Sequence, residues 1–233
     1  CATRWRTARA SGCGFRVDRG RLPRHEGRTI EQVVGDGADV GTPRFFDARE
    51  MGVANLGGAG WIEIDGTRHA LANRDVLYIG RGAGEVVMGS DDAASPAHFY
   101  MNSVPAGADI PHRLITRDEG KQVEFGEAAK CNHRRLRMYI HPEVAPSCLL
   151  LMGITDLAEQ SVWNTMPPHL HERRMEAYCY FDLAPEDRVM HFMGRPDNTR
   201  HLVVANGDTT RNPSVPGVYD IVAGFTSPLG RYM

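Results

Sequence analysis

Two histidines one position apart, His169 and His171, followed by a carboxylate at Glu176, are the residues of this chain best equipped for chemistry. Side chains alternate between the faces of a β-strand, so an H-x-H pair on a strand aims both imidazoles the same way. Two imidazoles and a carboxylate suit a divalent first-row metal that keeps coordination positions open. On one unbroken strand Glu176 would fall on the opposite face. A turn at Glu172, Arg173 and Arg174 removes that difficulty, because it returns the next strand, Met175 to Phe181, alongside the histidines. Pro167 and Pro168 stiffen the approach to the pair.

The elements that must position these residues read as strands. Trp61-Ile62-Glu63-Ile64 alternates and runs into Asp65-Gly66, a strong hairpin signal. Further strands are expected at Val76 to Gly80, Glu85 to Met88 and His98 to Met101. The second half adds Arg137 to Ile140, Ser147 to Ile154, Glu176 to Leu183, Val189 to Met193 and His201 to Ala205. Many short strands with no long amphipathic helix predict an all-β sandwich or barrel. Pro, Gly and charged residues cluster from Pro105 to Ala129. A linker is expected there, with a short helix near Thr116 to Gly120, since Thr116 and Glu119 form a capping-box pattern. The first 45 residues, rich in Arg and Gly, carry no assignable periodicity.

Bulk properties narrow the function. A chain of 233 residues can bury a sizeable core, and a net charge of −2 gives no electrostatic case for nucleic acid or an anionic membrane. The longest apolar run, Cys148 to Met152, is far too short to span a bilayer. Cys1, Cys13, Cys131, Cys148 and Cys179 are scattered and lack CxxC spacing, which predicts reduced thiols and a cytoplasmic location and argues against a cysteine-ligated zinc site. Cys148 and Cys179 read as core residues. No charged segment followed by an apolar one marks a leader at the start of the chain given.

The spacing H-x-H-x4-E is also the first sequence motif of the cupin barrels, and the words around it are more specific. Ser161-Val-Trp163-Asn164-Thr165-Met166-Pro167-Pro168-His169-x-His171-x-Arg173-Arg174-Met175-Glu176-x-Tyr178 resembles the 4-deoxy-5-ketouronate isomerases of pectin breakdown. So do His191-Phe-Met193-Gly194-x-Pro196-x-x-Thr199-Arg200-His201 and, earlier, Arg49-Glu50-Met51-Gly52-Val53-x-Asn55-x-Gly57-Gly58-x-Gly60. Arg74-Asp75-x-Leu77-Tyr78-Ile79-Gly80-x-Gly82 extends the likeness, which runs from about Pro43 to about Pro213.

This resemblance implies two cupin-type (jelly-roll) barrels in tandem: an N-terminal barrel without metal ligands over residues 1–110, a linker over 111–130, and a metal-holding barrel over 131–233. It implies a metal-dependent ketol-isomerase interconverting 5-dehydro-4-deoxy-D-glucuronate and 3-deoxy-D-glycero-2,5-hexodiulosonate. One zinc ion per subunit, held by His169, His171 and Glu176, and a homohexameric assembly belong to the same implication. Such a reaction moves a proton between adjacent carbons and stabilises an enediolate, which a Lewis-acid metal and a positioned base can do together. His201 and Tyr178 are the candidates for the base. Arg173 and Arg174 are the expected fork for the uronate carboxylate, with Arg134 and Arg135 as a second pair. Trp163 would line the sugar. His191 and His201 otherwise read as half-buried strand histidines.

One position departs from the family. Its fourth metal ligand, a histidine, aligns with Val218, and no histidine follows His201. A segment missing from the sequence, a three-ligand metal site completed by water, or a chain that has lost tight metal binding would each account for that. Two other functions stand beside the isomerase. The same three ligands form the facial triad of mononuclear iron oxygenases, and a non-catalytic sugar-acid-binding cupin would keep the pocket without turnover.

Overall fold

Alternating apolar residues separated by glycine turns give this chain its strands. The computed structural model describes residues 32–33, 37–164, 169, 175–195, 197–212 and 219–222. Among them it shows strands and a few short 3-10 turns, so the protein is all-β. No helix among the described residues is long and apolar enough to cross a membrane.

In the first half lie β1 (Gln32–Val33), β2 (Arg49–Asn55), β3 (Gly60–Ile64), β4 (Thr67–Leu71), β5 (Val76–Ile79), β6 (Val86–Ser90), β7 (Phe99–Pro105) and β8 (Arg113–Ile115). They form two four-stranded antiparallel sheets, in the orders β1-β6-β3-β4 and β7-β2-β5-β8. Met51, Val53, Leu77, Ile79 and Met101 from one sheet meet Ile62, Ile64, Leu71, Val86 and Met88 from the other in a shared buried core. The Asp65-Gly66 hairpin forms as expected: Ile64 pairs with Thr67, and both turn residues have positive φ, 48° and 81°. That geometry is the type I′ turn, which matches the right-handed twist of the strands it joins. Asp65 also accepts hydrogen bonds from the Gly84 and Glu85 amides, and these hold its carboxyl below the usual carboxylate range.

Strand β2 is buried along its whole length, and that decides what covers it. Met51 and Val53 enter the core between the sheets, so by period two Glu50, Gly52 and Ala54 face the other way. There the chain from Arg137 to Gly153 lies over Glu50 and Gly52. A Cβ on Gly52 would come within 2.6 Å of Ile140 Cδ1 and 2.9 Å of Met152 Cε. Glu50 is fully buried. One of its carboxylate oxygens accepts from the Tyr78 hydroxyl at 2.7 Å and the Cys148 amide at 2.8 Å; the other accepts from the Leu149 and Leu150 amides, each at 2.8 Å. Desolvation and the Glu50 carboxylate push the Tyr78 hydroxyl far above its ordinary pKa.

Three expectations change here. Ser147 to Ile154 is not one strand, because the amides of residues 148–150 turn onto Glu50; the strand begins only at Met152. The apolar run therefore leaves Leu149 70% exposed, and Cys148 only half-buried. Cys179 is half-buried too, at a strand end. The Thr116–Glu119 capping contacts do form: the Thr116 amide and hydroxyl donate to the Glu119 carboxylate at 2.8 and 2.9 Å. They close a turn, not a helix, since β8 ends at Ile115 and the next strand starts at Lys121. The stretch 111–130 thus carries β8, β9 (Lys121–Phe125) and a 3-10 turn.

The remaining strands are β10 (Arg134–Ile140), β11 (Met152–Leu157), β12 (Glu176–Cys179), β13 (Val189–Arg195), β14 (Asn198–Val204), β15 (Thr209–Asn212) and β16 (Tyr219–Val222). They give sheets in the orders β11-β10-β9, β12-β15 and β14-β13-β16. By compactness the chain divides in two, with Arg137–Gly153 grouped with the first-half strands and Gln122–Leu136 grouped with the chain from Ile154 onward. Within the latter, Tyr180, Leu183, Val189 and Val204 form a small core against which Tyr178 and Leu202 pack.

Candidate functional site

Glu176 is the first residue of β12, directly after the segment that carries the histidines. Period two puts Tyr178 on the same face of that strand. The Tyr178 hydroxyl donates to one Glu176 carboxylate oxygen at 2.6 Å, within the short range of O–H···O⁻ bonds. Both residues are half-buried. Strand β15 runs antiparallel beside β12 with Glu176 opposite Asn212 and Tyr178 opposite Thr210.

Behind Tyr178 stands an imidazole that the sequence did not single out for a role. His191, on β13, is fully buried. Its Nδ1 lies 2.6 Å from the Tyr180 hydroxyl and 3.3 Å from the Thr210 hydroxyl. Its ring meets the Tyr178 ring edge-on, with centroids 5.5 Å apart and planes at 63°. Tyr178 and Tyr180 stack at 6.5 Å. Flanking apolar residues made His191 look like an ordinary strand histidine. The i, i+2 spacing of Glu176, Tyr178 and Tyr180 was the available signal that one face here is polar and aromatic.

Of the other expected site residues, His169 is exposed. His171, Arg173, Arg174 and Val218 lie outside the described residues. Trp163 is half-buried, its amide donating to the Cys131 carbonyl at 3.0 Å. His201 is exposed on β14, a strand of the β14-β13-β16 sheet and not of the sheet that holds Glu176; its ring packs against Phe192 at 6.2 Å. The structure therefore joins Tyr178 to Glu176 and sets His201 on a separate sheet. Arg135 is already ion-paired with Glu124 at 2.6 Å, while Arg134 binds the Asn132 carbonyl and lies over the Phe125 ring. That second arginine pair is therefore engaged in its own corner of the fold.

No three His, Cys, Asp or Glu side chains among the described residues come together as a metal-binding group. The donor chemistry still fits a divalent ion. Glu176 offers a carboxylate held by a hydrogen bond on one oxygen, and a carboxylate so held can ligate through the other. Nitrogen donors adjoin it in sequence at His169 and His171.

Comparison with known proteins places these features in one lineage. A protein of Burkholderia cenocepacia named 4-deoxy-L-threo-5-hexosulose-uronate ketol-isomerase is 46% identical over 187 residues, covering 80% of this chain and 67% of its own length. The protein of that name in Dickeya dadantii is 45% identical over 195 residues, covering 84% of this chain and 69% of its own. The chain thus spans about two thirds of the length of these relatives. Among solved structures, an IolB-like protein of Salmonella typhimurium LT2 shares the fold, with a TM-score of 0.64 at 16% identity over 88% of this chain and 81% of that one. Residues 34–220, which contain both β2 with its buried Glu50 and the histidine–carboxylate motif, match the KduI/IolB family, and the chain belongs to it.

Proposed function

We propose that this protein is a metal-dependent ketol-isomerase that interconverts 5-dehydro-4-deoxy-D-glucuronate and 3-deoxy-D-glycero-2,5-hexodiulosonate. The observation that carries the reading is 44–47% identity to proteins named as that isomerase. The histidine–carboxylate motif supports it from this chain's own residues. His169, His171 and Glu176 hold the metal, with zinc as the expected ion. When bound, a divalent cation supplies Lewis acidity at the substrate oxygens, where negative charge develops during isomerisation.

The rest of the work falls to side chains. A base removes the proton from the hydroxyl-bearing carbon next to the aldehyde, and that proton returns to the former aldehyde carbon. The hydroxyl proton moves from one oxygen to the other, so substrate and product have the same atoms and oxidation level overall. Of the two candidates for this transfer, His201 is the group proposed, because the Tyr178 hydroxyl already donates to the Glu176 carboxylate. Arg173 and Arg174 grip the uronate carboxylate in a fork that an ammonium cannot reproduce. The Trp163 ring lines the sugar. A role in pectin breakdown, a cytoplasmic location and a homohexameric assembly complete the proposal.

Incubating the purified protein with the ketouronate, with and without a chelator, tests it. Isomer formation that chelation stops and zinc restores supports the reading. Oxygen uptake with near-stoichiometric iron would replace it with an oxygenase. Saturable binding without turnover in added zinc or manganese would replace it with a binding protein.

A further inference from the structure

We propose that Tyr178 is a positioning residue for the Glu176 carboxylate and that the buried His191 imidazole holds Tyr178 in place. On this proposal neither residue acts as the proton-transfer base. The proposal rests on the reading of Glu176 as a metal ligand and sharpens it.

A glutamate at the start of a strand, half-buried, has several rotamers open to it, and fixing it in one costs side-chain entropy. The Tyr178 hydroxyl, 2.6 Å from one carboxylate oxygen, selects among them. The other oxygen would then be the one that ligates a metal. The hydroxyl proton of Tyr178 is committed to that carboxylate, which separates the side chain from C–H proton abstraction.

Tyr178 is itself braced from two directions. The Tyr180 ring stacks on one side at 6.5 Å, and the His191 ring meets it edge-on at 5.5 Å. His191 is fixed in turn, because two hydroxyls converge on its Nδ1: Tyr180, just past the end of β12, at 2.6 Å and Thr210 of β15 at 3.3 Å. Thr210 stands directly opposite Tyr178 across the β12–β15 pair. Side chains opposite one another in an antiparallel pair share a face. The result is one column from Thr210 through His191 and Tyr178 to Glu176. A core that needed only volume would take leucine or phenylalanine at position 191. A fully buried imidazole costs desolvation and is retained where its hydrogen bonds set a geometry. Groups of this kind behind a ligand orient it, and their loss weakens metal binding about 10- to 100-fold.

The test compares wild type with Tyr178→Phe, His191→Phe, His191→Asn and Glu176→Gln. Zinc affinity of the metal-free protein is measured by competition with a chromophoric chelator, with thermal unfolding as the check on folding. kcat and KM are measured at saturating zinc. Tyr178→Phe, which keeps the ring, is expected to weaken zinc about 10- to 100-fold while KM for the ketouronate stays within about twofold. His191→Phe should weaken zinc in the same direction. His191→Asn, which places an amide where Nδ1 stood, should recover part of that loss. Glu176→Gln should abolish tight binding.

If Tyr178→Phe binds zinc as wild type does while Glu176→Gln has lost it, the positioning role is wrong and the metal assignment stands. If zinc affinity is unchanged and kcat alone falls by more than about 1,000-fold, Tyr178 is the base and the proposal is overturned. If Glu176→Gln itself binds zinc like wild type, the metal reading fails and takes this inference with it.

Discussion

Replacing Glu50 with glutamine changes one oxygen for an amide nitrogen, and the structure says which contact is lost. Four donors converge on the carboxylate: the Tyr78 hydroxyl and the amides of Cys148, Leu149 and Leu150. A glutamine can still accept from two of them. Its better orientation keeps the oxygen on the Leu149 and Leu150 amides, because the Tyr78 hydroxyl can rotate and accept from the new NH2 group. The Cys148 amide cannot rotate, so it is left facing a donor. An orphaned buried N–H costs about 1–3 kcal/mol, and the two surviving bonds each lose about 1 kcal/mol of charge assistance. Relief from burying a charge offsets part of this, leaving an expected destabilisation of about 2–4 kcal/mol. Glu50→Leu, which strands all four donors, should cost more. Urea unfolding measures the loss, and amide exchange at residues 148–150 should accelerate before the core strands open. A cost below about 0.5 kcal/mol with exchange unchanged would refute the claim that this carboxylate holds the 148–150 segment onto β2.

Three further predictions are read from stability. Gly80→Ala should cost more than Gly52→Ala, because a Cβ at 80 meets the Ile110 backbone oxygen at 1.8 Å whereas one at 52 meets mobile side-chain ends at 2.6–3.1 Å; equal midpoints in urea would contradict it. Tyr139→Phe should be neutral or stabilising by up to about 1 kcal/mol, since the Tyr139 hydroxyl, its pKa pushed up to about 12 by burial, has no hydrogen-bond partner among the described residues; a clear fall in the unfolding midpoint would count against that. Burial lowers the pKa of His112, whose Nδ1 accepts the Gly80 amide at 3.0 Å. Its stability contribution is therefore complete above the unfolded value of about 6.5 and is lost as pH falls through the lowered folded value. Thermal midpoints between about pH 7.5 and 5 should fall more steeply for wild type than for His112→Gln. Parallel curves would remove His112 from the account.

Where local chemistry decides structure, the chain could be read directly. Asp65-Gly66 requires two positive-φ residues and supplies them. Strands β3 and β5 emerged because apolar β-formers dominate them. Strand β2 was opaque, because Glu50 and Gly52 look nothing like buried strand residues until the chain from Arg137 to Gly153 covers them, and the buried Arg49 is held instead by its bonds to Ser103. The same tertiary contact converted Ser147 to Leu151 from an expected strand into a loop, since a distant carboxylate outcompeted β propensity for its amides. At the candidate site the spacing of Glu176 and Tyr178 was enough to place them on one face. Burial was not legible: His191 and His201 occupy similar strand contexts, yet one is sealed in the interior and the other faces solvent.

The central claim, a metal-dependent ketol-isomerase built on His169, His171 and Glu176, comes down to one assay. The zinc-loaded protein and its His171→Ala variant are given 5-dehydro-4-deoxy-D-glucuronate, and the 2,5-diketo product is followed before and after chelation. Turnover by the loaded wild type, its loss on chelation, its recovery with added zinc and no turnover by the variant at any zinc level are the expected results. Turnover by His171→Ala at the wild-type rate, or by wild type in excess chelator, would contradict the claim.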